Sequence, residues 1–231
     1  MTQTPIWQQL MSLIFRDNPY AGFDPSPYPL DLQGWGSQHP NFANVIDEVQ
    51  PRLIIEVGTW KGGSAIHMAK LMQQRNWPCA ILCVDTWLGA MEFWERKDQQ
   101  NWFPSLRLSN GYPQVYYQFL ANVVHSGLQD CILPFPTTSS IAARFFAKYK
   151  IQPDMLYLDA SHDEIDVYLD LVQLWPSVRP GGILFGDDFT DAWPGLRNAV
   201  QNFARQIGMQ VEIRDRQWMF RKPASMMAQA A

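Results

Sequence analysis

Read from residue 1 to residue 231, the chain predicts an α/β fold: a mostly parallel sheet of seven strands with helices on both faces. Three observations carry this. From residue 53 onward, short apolar runs alternate with helix-period segments, the pattern of strand–helix–strand crossovers. Several of those runs stop at a carboxylate, so polar groups gather where the strands end. The last two runs, 209–213 and 217–221, are separated only by Arg214-Asp215-Arg216, which calls for a hairpin and hence an antiparallel strand at the sheet's end.

Taken in order, residues 1–50 form an extension ahead of the sheet. Ile6 to Phe15 has amphipathic helical spacing, residues 17–40 are rich in Pro, Gly and aromatics, and Asn41 to Val49 is a second short helix. The sheet domain runs over 51–222. Its strands are 53–57, 80–85, 131–134, 154–159, 182–187, 209–213 and 217–221, and helices fill 63–75, 114–126, 139–149, 164–175 and 195–207. An insertion at 87–113 interrupts the alternation and carries Trp87, Phe93, Trp94, Trp102, Phe103 and Tyr112. Long loops in compact domains tend to be lids or binding loops, although such aromatics also pack a loop down or meet a second subunit. Residues 223–231 read as a flexible tail.

Composition narrows the class. A hydrophobic content of 47% with 17% charged residues fits a globular chain rather than a disordered one. The net charge is −4 and the basic residues are scattered, so no footprint for nucleic acid is present. Cys79, Cys83 and Cys131 lie in or beside predicted buried strands, where reduced thiols are expected. The start has no basic region followed by an apolar stretch, and no run approaches ~18 apolar residues; a cytoplasmic protein without a membrane span is expected. The aromatic surplus of the extension and insertion predicts a homo-oligomer, a dimer or larger.

The turn after the first strand is the strongest local signal. Glu56-Val57-Gly58-Thr59-Trp60-Lys61-Gly62-Gly63-Ser64 ends a strand in an acid and opens a helix through glycines. Gly58 and Gly63 have P-loop spacing, but Ser64 stands where the lysine belongs, and Trp60 stands where a dinucleotide fingerprint needs glycine. An acidic strand end before a Gly-rich turn resembles the S-adenosylmethionine (SAM) loop. Asp85 ends the next strand, where a carboxylate can take both ribose hydroxyls or simply form a turn.

A second constellation follows. Asp159 ends the strand over 154–159, with His162 three residues on, and Asp187-Asp188 end the next. Neighbouring strands lie about 4.8 Å apart, so the three carboxylates would repel one another unless neutralised. Asp159, Asp187 and Asp188 are therefore candidate ligands of a hard cation, magnesium before manganese or calcium, with helix capping and turn formation as the plainer alternative. His162, beside a ligand candidate, is a candidate general base.

Glu56-Val57-Gly58, Asp85-Thr86-Trp87, Asp159-Ala160-Ser161-His162, Pro180-Gly181-Gly182, Gly186-Asp187-Asp188 and Trp193-Pro194-Gly195 together resemble the class I, Rossmann-like methyltransferases of family 24, which include cephalosporin-hydroxylase-like and macrolide-sugar O-methyltransferases. The resemblance covers about residues 50–222. It implies a SAM-dependent O-methyltransferase acting on a sugar, glycoside or related small-molecule hydroxyl. Asp159, Asp187 and Asp188 would hold the metal, and His162, with Asp159, would carry catalysis. Glu56, Gly58, Thr59, Gly63, Ser64 and Asp85 fall in the cofactor loop region, and relatives place a Ser or Thr near the adenine after the third strand, which points to Thr138 and Ser139. A catechol-type O-methyltransferase and a nonenzymatic SAM- or nucleotide-binding module are the alternatives. Asp17-Asn18-Pro19-Tyr20 superficially resembles an amino-methyltransferase motif, but it lacks the second proline and precedes the cofactor strand.

Overall fold

The structure, a computed structural model, describes residues 4–78, 80–95 and 102–224. Cys79, residues 96–101 of the insertion and residues 225–231 of the tail lie outside the described residues. The strands are β1 (Leu53–Val57), β2 (Ala80–Asp85), β3 (Ile132–Pro136), β4 (Met155–Leu158), β5 (Ile183–Gly186), β6 (Glu212–Arg214) and β7 (Gln217–Arg221). They form one sheet in the order β3-β2-β1-β4-β5-β7-β6. The first five run parallel, and β7 pairs antiparallel with both β5 and β6. The helices are α1 (Ile6–Ile14), α2 (Asn41–Val49), α3 (Gly63–Gln74), α4 (Met91–Trp94), α5 (Val115–His125), α6 (Ser139–Tyr149), α7 (Glu164–Leu174) and α8 (Pro194–Ile207).

The pleat divides the core in two. Leu53, Ile55 and Val57, with Leu82, Val84, Leu156, Leu158 and Leu184, face α1, α6, α7 and α8. Ile54, Ile81, Cys83, Met155, Tyr157 and Phe185 face α2, α3 and α5. Both faces are covered, which is why these strands read as continuous apolar runs rather than alternating ones. The α8 helix shows the matching helical logic: Leu196, Ala199, Val200, Phe203 and Ala204 recur at i, i+3, i+4, i+7 and i+8, and all are buried. The apolar face of α1 serves this chain's own core, with Leu10 buried and Ile6, Trp7, Met11 and Ile14 packed around it.

Element ends differ from the apolar runs for identifiable reasons. The third strand extends to Pro136 and includes Pro134, which is tolerated because β3 is an edge strand with one partner. The β6 strand is only Glu212–Arg214 rather than 209–213, because Arg214 pairs with Gln217 and the turn is the two residues Asp215-Arg216. Met209 instead donates its N–H to Ala204 at the end of α8. Within the insertion, Trp87 is a core residue, 1% exposed, and its indole N–H donates to the Trp60 carbonyl at 2.7 Å. That placement makes it a packing aromatic, unlike its neighbours nearer the cavity.

The strand order reverses between β1 and β4, and there the two chains leave the sheet in contact. Gly58 (φ 89) is packed so closely that a Cβ on it would lie 2.2 Å from the Asp159 carbonyl oxygen. Backbone position and contact both forbid a side chain. Gly58→Ala is expected to cost about 2–4 kcal/mol, combining left-handed strain with overpacking. Denaturant unfolding should show this as a lowered midpoint; a midpoint equal to wild type would mean the β1–β4 junction relaxes freely.

Candidate active site

Above the β1–β4 reversal the strand ends open into a cavity of about 810 Å³. Of the predicted cofactor residues, Gly58, Thr59, Gly63, Ser64, Asp85, Thr138 and Ser139 line it. Asp85 organises the turn beside it, accepting the N–H of Trp60 at 2.8 Å and of Trp87 at 2.7 Å. Burial raises its pKa, and these backbone donors act against that rise. Thr138 caps α6, its hydroxyl accepting the Ile141 N–H at 3.3 Å.

Glu56 sits elsewhere. It is fully buried on the α3 side of β1, outside the cavity lining, where the Ser64 hydroxyl donates to its carboxyl. Burial pushes its pKa up to about 8, so the group is a neutral acid at physiological pH. It fastens the start of α3 to the sheet from below.

On the other side of the cavity, Asp159, His162 and Asp188 bring one donor atom each to within 4.8 Å of one another. Tyr157 donates its hydroxyl to Asp159 at 3.0 Å; burial, then the nearby Asp187 charge, lifts the Asp159 pKa to about 6. Asp187 lies outside this trio and outside the cavity lining. It is 1% exposed and takes the Arg216 guanidinium at 2.7 Å, while its second carboxylate oxygen has no partner among the described residues. Arg216 also binds Asp188. His162 lies flat against Trp193, the centroids 3.9 Å apart, and its Nε2 is 3.0 Å from Asp188. A carboxylate only accepts, so in the neutral ring this bond assigns the hydrogen to Nε2 and leaves the Nδ1 lone pair free. Glu92, on α4, comes within 3.9 Å of that Nδ1.

The donor set fits a hard divalent cation. Asp159 and Asp188 bring oxygens and His162 a nitrogen within 4.8 Å of one another, while Asp187, paired with Arg216, keeps one buried carboxylate oxygen without a partner among the described residues. Arg216 stands in a hairpin turn, which in sequence advertises only a turn. Glu92 falls within the aromatic insertion and residues 33–37 within the 17–40 stretch, but their individual places at the cavity come from long-range packing that no local pattern encodes. Trp193 precedes Pro194-Gly195, and its sequence position gives no hint of the stacking on His162.

Comparison with known proteins adds the following. The profile of a family described as a methyltransferase domain (family 24) matches residues 55–189, more than half of the chain. Rhamnosyl O-methyltransferases of Mycobacterium tuberculosis (strain H37Rv) and Mycobacterium bovis (strain BCG / Pasteur) are each 33% identical over 92 residues, covering 35% of this chain. The chain spans only 38% of the length of these curated relatives. Among solved structures, the O-methyltransferase NovP superimposes with a TM-score of 0.58 at 19% identity, covering 81% of this chain and 80% of NovP. The Bacillus cereus O-methyltransferase in complex with SAH gives 0.54 at 12% identity, covering 95% and 90%, and the calicheamicin methyltransferase CalS11 gives 0.53 at 16%, covering 96% and 94%. These likenesses show the class I methyltransferase fold.

The Glu56 environment makes a pH prediction. Folded, it holds its proton to about pH 8, against 4.5 for an unperturbed carboxyl. Its contribution to stability is therefore complete below about 4.5 and is lost as pH rises toward 8. Glu56→Gln should flatten that part of the stability–pH curve and raise Tm at pH 8 relative to wild type. An unchanged slope would show the carboxyl to be ionised in the folded protein.

Proposed function

This chain belongs to the methyltransferase-domain family, and from that membership we propose that it is a metal-dependent SAM O-methyltransferase acting on a hydroxyl of a sugar, glycoside or related natural product. One observation carries the reading: the Asp159–His162–Asp188 cluster opens on the same cavity as the Gly58–Ser64 turn and Asp85. An activating site and a nucleoside site thus share one enclosure, as transfer between two bound reactants requires. The sugar class is supported by the rhamnosyl O-methyltransferases among the relatives.

SAM supplies an electrophilic methyl group, and a bound divalent cation, magnesium in preference to manganese or calcium, supplies Lewis acidity that makes a hydroxyl easier to ionise. The protein's part is positioning and proton transfer. The Gly58–Ser64 turn holds the amino-acid end of the cofactor, Asp85 the ribose, and Thr138 and Ser139 the adenine side. Asp159 and Asp188, which meet at the cavity, would hold the cation, with Asp187 next in the chain on Arg216. His162 accepts the hydroxyl proton at Nδ1, the nitrogen left free by its bond to Asp188. Asp188 then stabilises the imidazolium, and Trp193 keeps the ring in plane. Asp159, alongside, would help to hold the cation next to His162.

On this reading the enzyme is cytoplasmic, serves a small-molecule or glycan acceptor rather than nucleic acid, and self-associates as a dimer or larger. Among the described residues no helix is long and apolar enough to cross a membrane. Exposed Ile141 on α6 and Ile165 and Leu169 on α7 offer apolar surface for a second copy.

The reading is tested by SAM turnover against a panel of methyl glycosides with and without chelator. Chelation should lower turnover at least ~10²-fold, since Lewis-acid stabilisation is worth several kcal/mol, and magnesium should restore it. Asp188→Ala should reproduce the chelated rate, with SAM affinity in calorimetry little changed. Full activity in chelator would leave these carboxylates as Arg216 and His162 partners alone.

A further inference from the structure

One wall of the cavity carries more ring surface than a nucleoside requires. Trp35, Phe93 and Trp102 form a contiguous group, with centroids 6.1 Å apart for Trp35–Phe93, 5.2 Å for Trp35–Trp102 and 5.7 Å for Phe93–Trp102. Phe93 in turn rests on Trp60 at 4.1 Å, and all four line the cavity. Trp35 is still 47% exposed. A large indole left half open inside a concave site is a binding surface rather than core.

Its neighbours place it beside the reacting groups. Glu92, next to Phe93, approaches His162 Nδ1 at 3.9 Å. Gly36, next to Trp35, is packed so that a Cβ would come 2.3 Å from Asp187 Oδ2. The rings therefore stand one residue away in sequence from Glu92, which meets His162, and from Gly36, which packs on Asp187.

The segment bearing Trp35 is also fastened to the glycine-rich turn itself. Lys61 is 2% exposed, and its ammonium donates to Asp31 at 2.6 Å and Gln33 at 2.7 Å. Asn122 closes the join, donating to the Asp31 carbonyl at 2.7 Å and to the Lys61 carbonyl at 2.8 Å. A buried ammonium is tolerated only when paired and hydrogen-bonded, so this join resists opening. Gly63 lies so close below that a Cβ there would meet Ser37 Cβ at 3.1 Å. Trp35 is consequently positioned relative to the residues that would hold the methyl donor.

We propose that Trp35, backed by Phe93 and Trp102, is the platform on which the saccharide ring of the acceptor lies, with Gln33 and Glu92 taking its hydroxyls. This rests on the O-methyltransferase reading above. A pyranose has an apolar C–H face for the indole and a polar rim for an amide and a carboxylate. A flat apolar ring would desolvate the Gln33 amide N–H group and the Glu92 carboxylate without offering them a partner, which is costly.

The test compares full-length wild type, Trp35→Ala, Trp35→Leu and Trp35→Phe in steady-state kinetics with methyl glycosides and with catechol, alongside SAH calorimetry and Tm. Trp35→Ala and Trp35→Leu should each raise the glycoside KM about tenfold, with kcat within about threefold and SAH affinity unchanged; Trp35→Phe should recover most of the loss. The leucine variant retains bulk without a ring, so it reports on stacking even where the alanine variant is unstable. A folded Trp35→Ala or Trp35→Leu with glycoside KM within twofold of wild type overturns the platform while leaving the O-methyltransferase reading standing. Wild-type turnover of catechol but not glycosides overturns the saccharide assignment. Wild type that methylates neither overturns the O-methyltransferase reading, and the platform falls with it.

Discussion

Four carboxyl groups stand at the carboxyl ends of four adjacent strands, β2, β1, β4 and β5: Glu56 and Asp187 are buried, and Asp85 and Asp159 are half-buried at the cavity. A buried charge without a partner is among the most expensive features a fold can carry, and each of these is managed differently. Glu56 keeps its proton and bonds Ser64. Asp85 is met by backbone N–H groups of the turns on either side. Asp159 has a tyrosine hydroxyl and a raised pKa, and Asp187 has Arg216. Across the sheet the means of compensation passes from main-chain donors and protonation at β2 and β1 to a tyrosine hydroxyl and a guanidinium at β4 and β5. On the proposed function, that gradient would divide one crevice into a nucleoside half and an activating half.

The N-terminal extension is part of the same device. Residues 29–41 run from α5, where Gln118 donates to the Pro29 carbonyl at 2.8 Å, across the glycine-rich turn, to Asn41, which donates to Gln217 at 2.8 Å. Its contacts with Lys61, Gly63 and Asp187 touch both halves of the crevice. The hairpin answers from the opposite end of the chain, with Arg216 on the acids and Asp215 on His39 at 3.1 Å. The first and last fifths of the sequence thus close over a site built by its middle.

The sheet and the carboxylates were legible in the sequence because their signals are local. Apolar runs of strand length, an acid closing several of them, and a three-residue gap between the last two runs need no knowledge of distant residues. The roles of those acids were less legible. Glu56 and Asp85 look equivalent as strand-end acids, yet the pleat turns Glu56 under α3, where Ser64 meets it, and leaves Asp85 lining the cavity. Trp87 and Trp102 sit in one aromatic insertion, yet one is core and the other lines the cavity. Trp35, Lys61 and Arg216 acquire meaning only through partners far away in sequence, which no spacing rule encodes.

The central claim is that His162, oriented by Asp188 and Trp193, removes the acceptor proton in a site whose cofactor half is built separately. Single-turnover methyl transfer by His162→Ala, measured alongside SAM and magnesium affinity, tests it most directly. The account predicts a rate lower by ~10²–10⁴-fold, the usual contribution of a positioned base, with both affinities nearly unchanged. A rate within about threefold of wild type would contradict it and pass the base role to one of the aspartates.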